Sequence, residues 1–214
     1  MDLAAWERRF RDWLASTGAL GADPAHDLLH VERVVAAAKA LAEEEGADPA
    51  IVIPAAWLHD CVQVPKHSPN RARASRLAAE AAGAYLREAS YPEASIGAIE
   101  HAIHAHSFSA GVEPRTIEAK VVQDADRLDA LGAVGIARTL MLGGVLGTPL
   151  YDAAESIPRR RTPDDRENTV DHFYVKLLHL AERMQTDGGR REAERRTEFM
   201  RRFLAELERE IGGV

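Results

Sequence analysis

Apolar residues recur along this chain three and four positions apart. No segment alternates apolar with polar residues as a half-buried strand must. Trp6, Phe10, Trp13 and Leu14 mark a first helix. Leu28, Leu29, Val31, Val34, Val35, Ala38 and Leu41 mark a second, closed by Gly46 as a C-cap. A third is expected from about Pro49 to Val62, with Pro65 beyond its end. Pro54 falls inside it, so this helix is either kinked there or begins later. Further helices are expected over roughly 70–88 and 93–106. Another begins near Pro114 and carries "EAKVVQDADRLDALGAVG"; its Gly132 and Gly135 mark a break or a close contact. Residues 143–164 form the longest stretch without periodicity, and loops of that length often serve as lids or binding loops. Thr162 as N-cap and Pro163 at the first helical position signal a new helix. A final helix over 188–212 carries Phe199, Phe203, Leu207 and Ile211 as its apolar stripe. The class is all-α. With no linker to divide it, the chain is expected to form one domain over 1–214.

Its 214 residues suffice for a sizeable core. The net charge of −7 counts against non-specific nucleic-acid binding, which relies on basic excess. It leaves room for a small anionic substrate, because a bound cation can supply local positive charge. No apolar run reaches the roughly 18 residues of a membrane span, so no membrane partner is expected. The opening "MDLAAWERRF" mixes both signs of charge, and no secretory signal is expected. Cys61 is the only cysteine, which excludes an intrachain disulfide and fits a reducing cytoplasm.

Seven of the nine histidines lie between His26 and His106. His26 and His30 share a helix face. In "AAWLHDCVQVPK", His59 and Asp60 end an apolar run, where burying both is costly unless a cation sits between them. Asp124, Asp126 and Asp129 interrupt another apolar helix. Imidazole and carboxylate suit Mn, Fe, Co, Ni and Zn, and carboxylate suits Mg. One histidine from a first helix, a His-Asp pair from a second and an aspartate from a later one would make a metal site inside a helical bundle.

"HDLLHVERV", "AAWLHDCVQVPK" and "VVQDADRLDALGAVGIAR" resemble, in order, the motifs of the HD-domain metal-dependent phosphohydrolase superfamily. The likeness is strongest to its bacterial YedJ-like branch, and extends through "AIHAHSFSAG" and "DHFYVKLLHL". It implies an HD helical bundle over about 20–140, with a C-terminal helical extension over about 163–212 packing on it. It implies the metal ligands His30, His59, Asp60 and Asp126. Asp126 is preferred to Asp124 because it stands in "ADRL", matching the family's context for the last ligand. Asp124 and Asp129 then become supporting or ion-pairing residues.

The same resemblance implies a metal-dependent phosphohydrolase in which metal-activated water attacks a phosphate ester or anhydride. The substrate class is a small phosphorylated molecule, a nucleotide. The cofactor is a divalent ion, with Mn, Ni, Co, Fe, Mg and Zn all open. Catalytic roles fall to Asp60, His104, His106 and Lys66. Arg71, Arg127, Lys176 and His172 are candidates for holding phosphate, and Arg159–Arg161 are expected in a solvated loop. Many nucleotidases of the superfamily place a glutamate three residues after the His-Asp aspartate; Gln63 stands there, which gives no support to that activity. Two alternatives stay open: a di-iron oxygenase drawing on His101, His104 and His106, and a non-catalytic nucleotide sensor. The terminal helices leave oligomerisation open.

Overall fold

The computed structural model describes residues 1–17, 27–62, 64, 73–107 and 110–212. Among these the expected all-α class holds: nine α-helices and no strand. The chain divides into two compact units, Met1–Asp126 and Arg127–Val214.

The first unit contains α1 (Leu3–Thr17), α2 (Leu28–Glu45), α3 (Pro49–Leu58), α4 (Ala74–Glu88), α5 (Glu93–His106) and most of α6 (Ile117–Leu128). α2 begins where Asp27 accepts a hydrogen bond from the His30 backbone N–H at 2.8 Å. It ends at Gly46 in the left-handed region, φ 68°. α3 is almost wholly buried from Val52 to Leu58, and it packs against α1, α2 and α5. Its end comes four residues earlier than the sequence suggests, because the Cys61 N–H turns back to the Leu58 carbonyl.

Pro54 lies inside α3 without terminating it. Proline has no N–H, so the carbonyl four residues earlier loses its helical donor. That carbonyl belongs to Ala50, and the Tyr91 hydroxyl donates to it at 2.6 Å. Tyr91→Phe is therefore expected to cost about 1–2 kcal/mol in urea denaturation, since it restores the orphaned acceptor. An unchanged midpoint would mean that water serves the carbonyl equally well.

The second unit contains the end of α6, then α7 (Gly132–Leu146), α8 (Asp171–Val175), two short 3-10 turns at Leu177–His179 and Ala181–Arg183, and α9 (Asp187–Ile211). The suspected break at the glycines is real. Gly132 has φ +70°, and a Cβ at Gly135 would lie 2.2 Å from the Ala130 carbonyl oxygen. Packing of α9 needs the same economy of volume: a Cβ at Gly132 would come 3.2 Å from Cγ of Arg196. Arg196 also donates to the Leu128 carbonyl at 2.7 Å, capping the end of α6.

Two expectations are corrected here. No helix starts at Thr162-Pro163. The Asp164 carboxylate instead accepts from the Arg166 backbone N–H and guanidinium, and the Asp164 carbonyl accepts from the N–H groups of Glu167 and Asn168. This local turn competes successfully with helix, and regular structure waits until Asp171. The apolar stripe of α9 is also rotated. Ala193, Thr197, Met200 and Leu204 are buried, whereas Phe199 is 42% exposed. The buried set is built from smaller and more flexible side chains, which suits close approach to the glycines of α7.

Residues 147–170 form an ordered loop, not a helix. It is pinned by backbone bonds from Thr169 and Val170 to the carbonyls of Pro149 and Leu150. Arg159 pairs with Glu208 at 2.7 Å, and Arg161 pairs with the fully buried Asp171. Of the three arginines expected in solvent, Arg159 and Arg160 are exposed, and only Arg161 is drawn in.

Candidate metal centre

Four elements of the first unit bring their ends or faces to one place. His30 stands in the first turn of α2, oriented by the Asp27 cap. His59 and Asp60 occupy the turn that closes α3, and Asp126 lies near the end of α6. His106 is the last residue of α5. His30 and His59 are buried to 1% and 0% exposure, while the Asp60 and Asp126 carboxylates keep 24% and 29%. The site thus has a closed imidazole floor and a carboxylate rim open to solvent.

The His59 ring is set by its own helix. Its Nδ1–H donates to the Ala56 carbonyl at 2.8 Å, which leaves the Nε2 lone pair facing the other donors. Nε2 lies 3.3 Å from His30 Nε2, 3.7 Å from Asp60 Oδ2 and 3.8 Å from Asp126 Oδ1. His30 Nε2 is 3.5 Å from Asp126 Oδ1. Metal–ligand bonds of about 2.1 Å put neighbouring donors roughly 3.0–3.4 Å apart in octahedral or tetrahedral sites. The observed separations are close to those edges. Two imidazole nitrogens facing each other at 3.3 Å also need something positive between them, a proton or a cation. On donor chemistry and spacing, His30, His59 and Asp60 form a group that could hold a divalent metal ion, with Asp126 alongside.

His106 joins this constellation. Its Nδ1–H donates to the Ile103 carbonyl at 2.6 Å, and its Nε2 lies 3.7 Å from Asp60 Oδ1. Burial pushes its pKa below the usual 6.5, and the neighbouring His59 pushes the same way, against Asp60 and Asp126. Burial raises the Asp126 carboxyl, but His59, His106 and His30 together outweigh it and hold the group below its ordinary value. Cys61 is buried beside the pair, its thiol pushed up to about 12 by burial and by Asp60.

The depressed His106 pKa has a definite sign in stability. The unfolded chain takes up the proton first, so stability is full above 6.5 and falls as pH drops from there to the folded value. The urea midpoint of metal-stripped protein is expected to fall between about pH 7 and pH 5, and His106→Gln to remove part of that slope. Equal slopes in the two proteins would show that His106 does not contribute.

The remaining candidates are placed differently. His104 is half-buried, about 200° round α5 from His106. It contributes to the field at His101. The His101 ring accepts the Arg115 backbone N–H at 3.1 Å, and so has a structural task. Asp129 is buried against Arg138 at 2.5 Å, and Asp124 is fully buried. In the second unit, the Arg127 guanidinium donates to the Arg183 carbonyl. His172 pairs through Nδ1 with Asp165 at 2.8 Å. Lys176 is exposed at the residue where α8 stops. His26, Gln63, Lys66 and Arg71 lie outside the described residues. Sequence reasoning missed Gln123. It is buried in α6 and donates to the Ala105 carbonyl at 2.6 Å. Its only signal was a polar residue on an apolar face, three positions before Asp126.

A model of the HD domain matches residues 28–131. The chain is 37% identical over 193 residues to the protein YpgQ of Bacillus subtilis, covering 88% of this chain and 86% of that one. The crystal structure of YpgQ in complex with ADP aligns with a TM-score of 0.75 over 97% of this chain and 98% of that chain, at 37% identity. An HD-superfamily hydrolase from Bacillus thuringiensis aligns with the same TM-score, 31% identity and 99% coverage of both chains.

Proposed function

The chain belongs to the HD superfamily, and from that premise we propose that it is a metal-dependent hydrolase of phosphate esters or anhydrides whose substrate is a nucleotide. The observation that carries this reading is the convergence of His30, His59, Asp60 and Asp126 around donor separations of 3.3–3.8 Å. The nucleotide is supported by YpgQ, which was crystallised in complex with ADP.

His30, His59, Asp60 and Asp126 would hold the ion. When bound, a divalent cation there lowers the pKa of a water and polarises a phosphoryl oxygen. The half-open carboxylate rim leaves room for water and substrate, as a catalytic site requires and a closed structural site does not. His106 keeps its proton on Nδ1, so the neutral ring presents Nε2 as an acceptor. That suits taking a proton from the attacking water better than delivering one to a leaving group. Lys66 and Arg71, close in sequence to the His-Asp pair, are proposed to neutralise phosphate charge. Arg127, His172, Lys176 and His104 remain candidates for the same work, and residence in the cytoplasm belongs to this proposal too.

The test is a hydrolysis screen of metal-stripped protein reconstituted with Mn, Ni, Co, Mg or Zn. Mono-, di- and triphosphate nucleotides, cyclic dinucleotides and simple phosphate esters would be offered, with Asp60→Ala alongside. Metal-dependent turnover that disappears in Asp60→Ala is the expected result, and the product identifies the bond cut. A protein that binds metal stoichiometrically yet turns over none of these is not a hydrolase of this kind.

A further inference from the structure

Any α-helix leaves its last four carbonyls without intrahelical donors. In α5 these belong to Ile103, His104, Ala105 and His106. Two of the four are served by side chains, and both side chains bear on the metal centre. The Ile103 carbonyl accepts from Nδ1 of His106 itself at 2.6 Å. The Ala105 carbonyl accepts from Nε2 of Gln123 at 2.6 Å. Ala105 is fully buried, so no bulk water can replace that donor.

Gln123 is 3% exposed and stands on α6, the helix that carries Asp126. Its bond is therefore a strut between the helix bearing a carboxylate of the centre and the helix end bearing His106. The His106 ring is held only while the last turn of α5 keeps its shape, because its anchor is a carbonyl three residues back in that turn. His106 Nε2 then lies 3.7 Å from Asp60 Oδ1, with its ring centroid 5.0 Å from that of His59. The Gln123 amide is oriented unambiguously, since a carbonyl can accept only from its nitrogen. Among the described residues, its Oε1 is buried with no hydrogen-bond partner.

We propose that Gln123 is a positioning residue: its hydrogen bond to Ala105 fixes the end of α5 so that His106 presents Nε2 to the Asp60 carboxylate in a single tautomer. This rests on His106 serving the centre as proposed above. Gln123 touches neither substrate nor metal, and acts only through His106.

The experiment has two arms. In the first, the ring nitrogens of metal-free protein labelled with 15N-histidine are observed by NMR, with His106 assigned by its loss in His106→Asn. Wild type should show His106 as the Nδ1–H tautomer alone. Gln123→Met and Gln123→Leu, which fill the site with apolar atoms and carry no donor, should both show a tautomer mixture. In the second arm, kcat, KM and Mn²⁺ affinity are measured on the substrate found by the screen. Gln123→Met should lower kcat about tenfold, with KM and Mn²⁺ affinity within about twofold of wild type. In a His106→Ala background the same substitution should change kcat by less than about twofold, because the effect passes through the missing ring. An equal loss in both backgrounds, or an unchanged tautomer in folded Gln123→Met and Gln123→Leu, overturns the proposal. If wild type hydrolyses nothing, the hydrolase reading fails, and the NMR arm alone decides the positioning role.

Discussion

His59→Ala is expected to lower the affinity for a divalent metal by more than about 100-fold, beyond the loss usual for outer-shell partners of a metal site. The size follows from where Nε2 sits. It lies within 3.8 Å of donor atoms of His30, Asp60 and Asp126 alike, so its loss removes a vertex shared by the set. The ring is fully buried and tied to the Ala56 carbonyl, so no other orientation competes in wild type. Hydrolysis should disappear with the metal. Stability offers an independent readout, because a metal bound only by the folded state at 100 times its Kd adds about 2.7 kcal/mol. Wild type should thus lose thermal stability when treated with a chelator and regain it with Mn²⁺. His59→Ala should melt at one temperature under both conditions. Calorimetric Mn²⁺ binding by the variant within about threefold of wild type would remove His59 from the ligand set.

Arg161→Met is expected to destabilise the protein by about 3–5 kcal/mol, the usual cost of stripping one partner from a buried ion pair. Asp171 is fully buried and accepts both ends of the Arg161 fork, one of them at 2.6 Å, together with the Asp164 backbone N–H at 2.7 Å. Without Arg161 its charge keeps a single donor. The pair fastens residues 147–170 to the start of α8, so the loss should be cooperative within that unit. Arg161→Lys should recover only part of it, since a point charge cannot make the two parallel bonds. The double variant Arg161→Met, Asp171→Leu should be more stable than Arg161→Met alone, because no buried charge is then stranded. Urea denaturation of the four proteins checks this, and a loss below about 1 kcal/mol in Arg161→Met would mean that water reaches Asp171.

Most helices were legible because each carries its own evidence. Gly46 caps α2 where the pattern stops, and α5 runs over 93–106 as its periodicity says. The turn at Asp164 was misread because Thr-Pro-Asp-Asp opens helices and also builds side-chain turns. Only the demand of Asp171 for the Asp164 N–H decides between them. The rotation of α9 escaped for a related reason. Phe199 and Phe203 are the most apolar residues available, but it is the flexible Met200 that packs against Gly135 of α7.

By itself, then, the sequence determined the all-α class, most helix boundaries and the order of the His, His-Asp and Asp motifs, because period and spacing are properties of one helix at a time. Only the tertiary structure decided that His106 faces Asp60 while His101 serves the Arg115 backbone, that Tyr91 serves the carbonyl freed by Pro54, and that Gln123 braces the end of α5. Each of these joins groups far apart along the chain. Helical spacing says which residues share a face, but which face meets which is settled by how the helices pack.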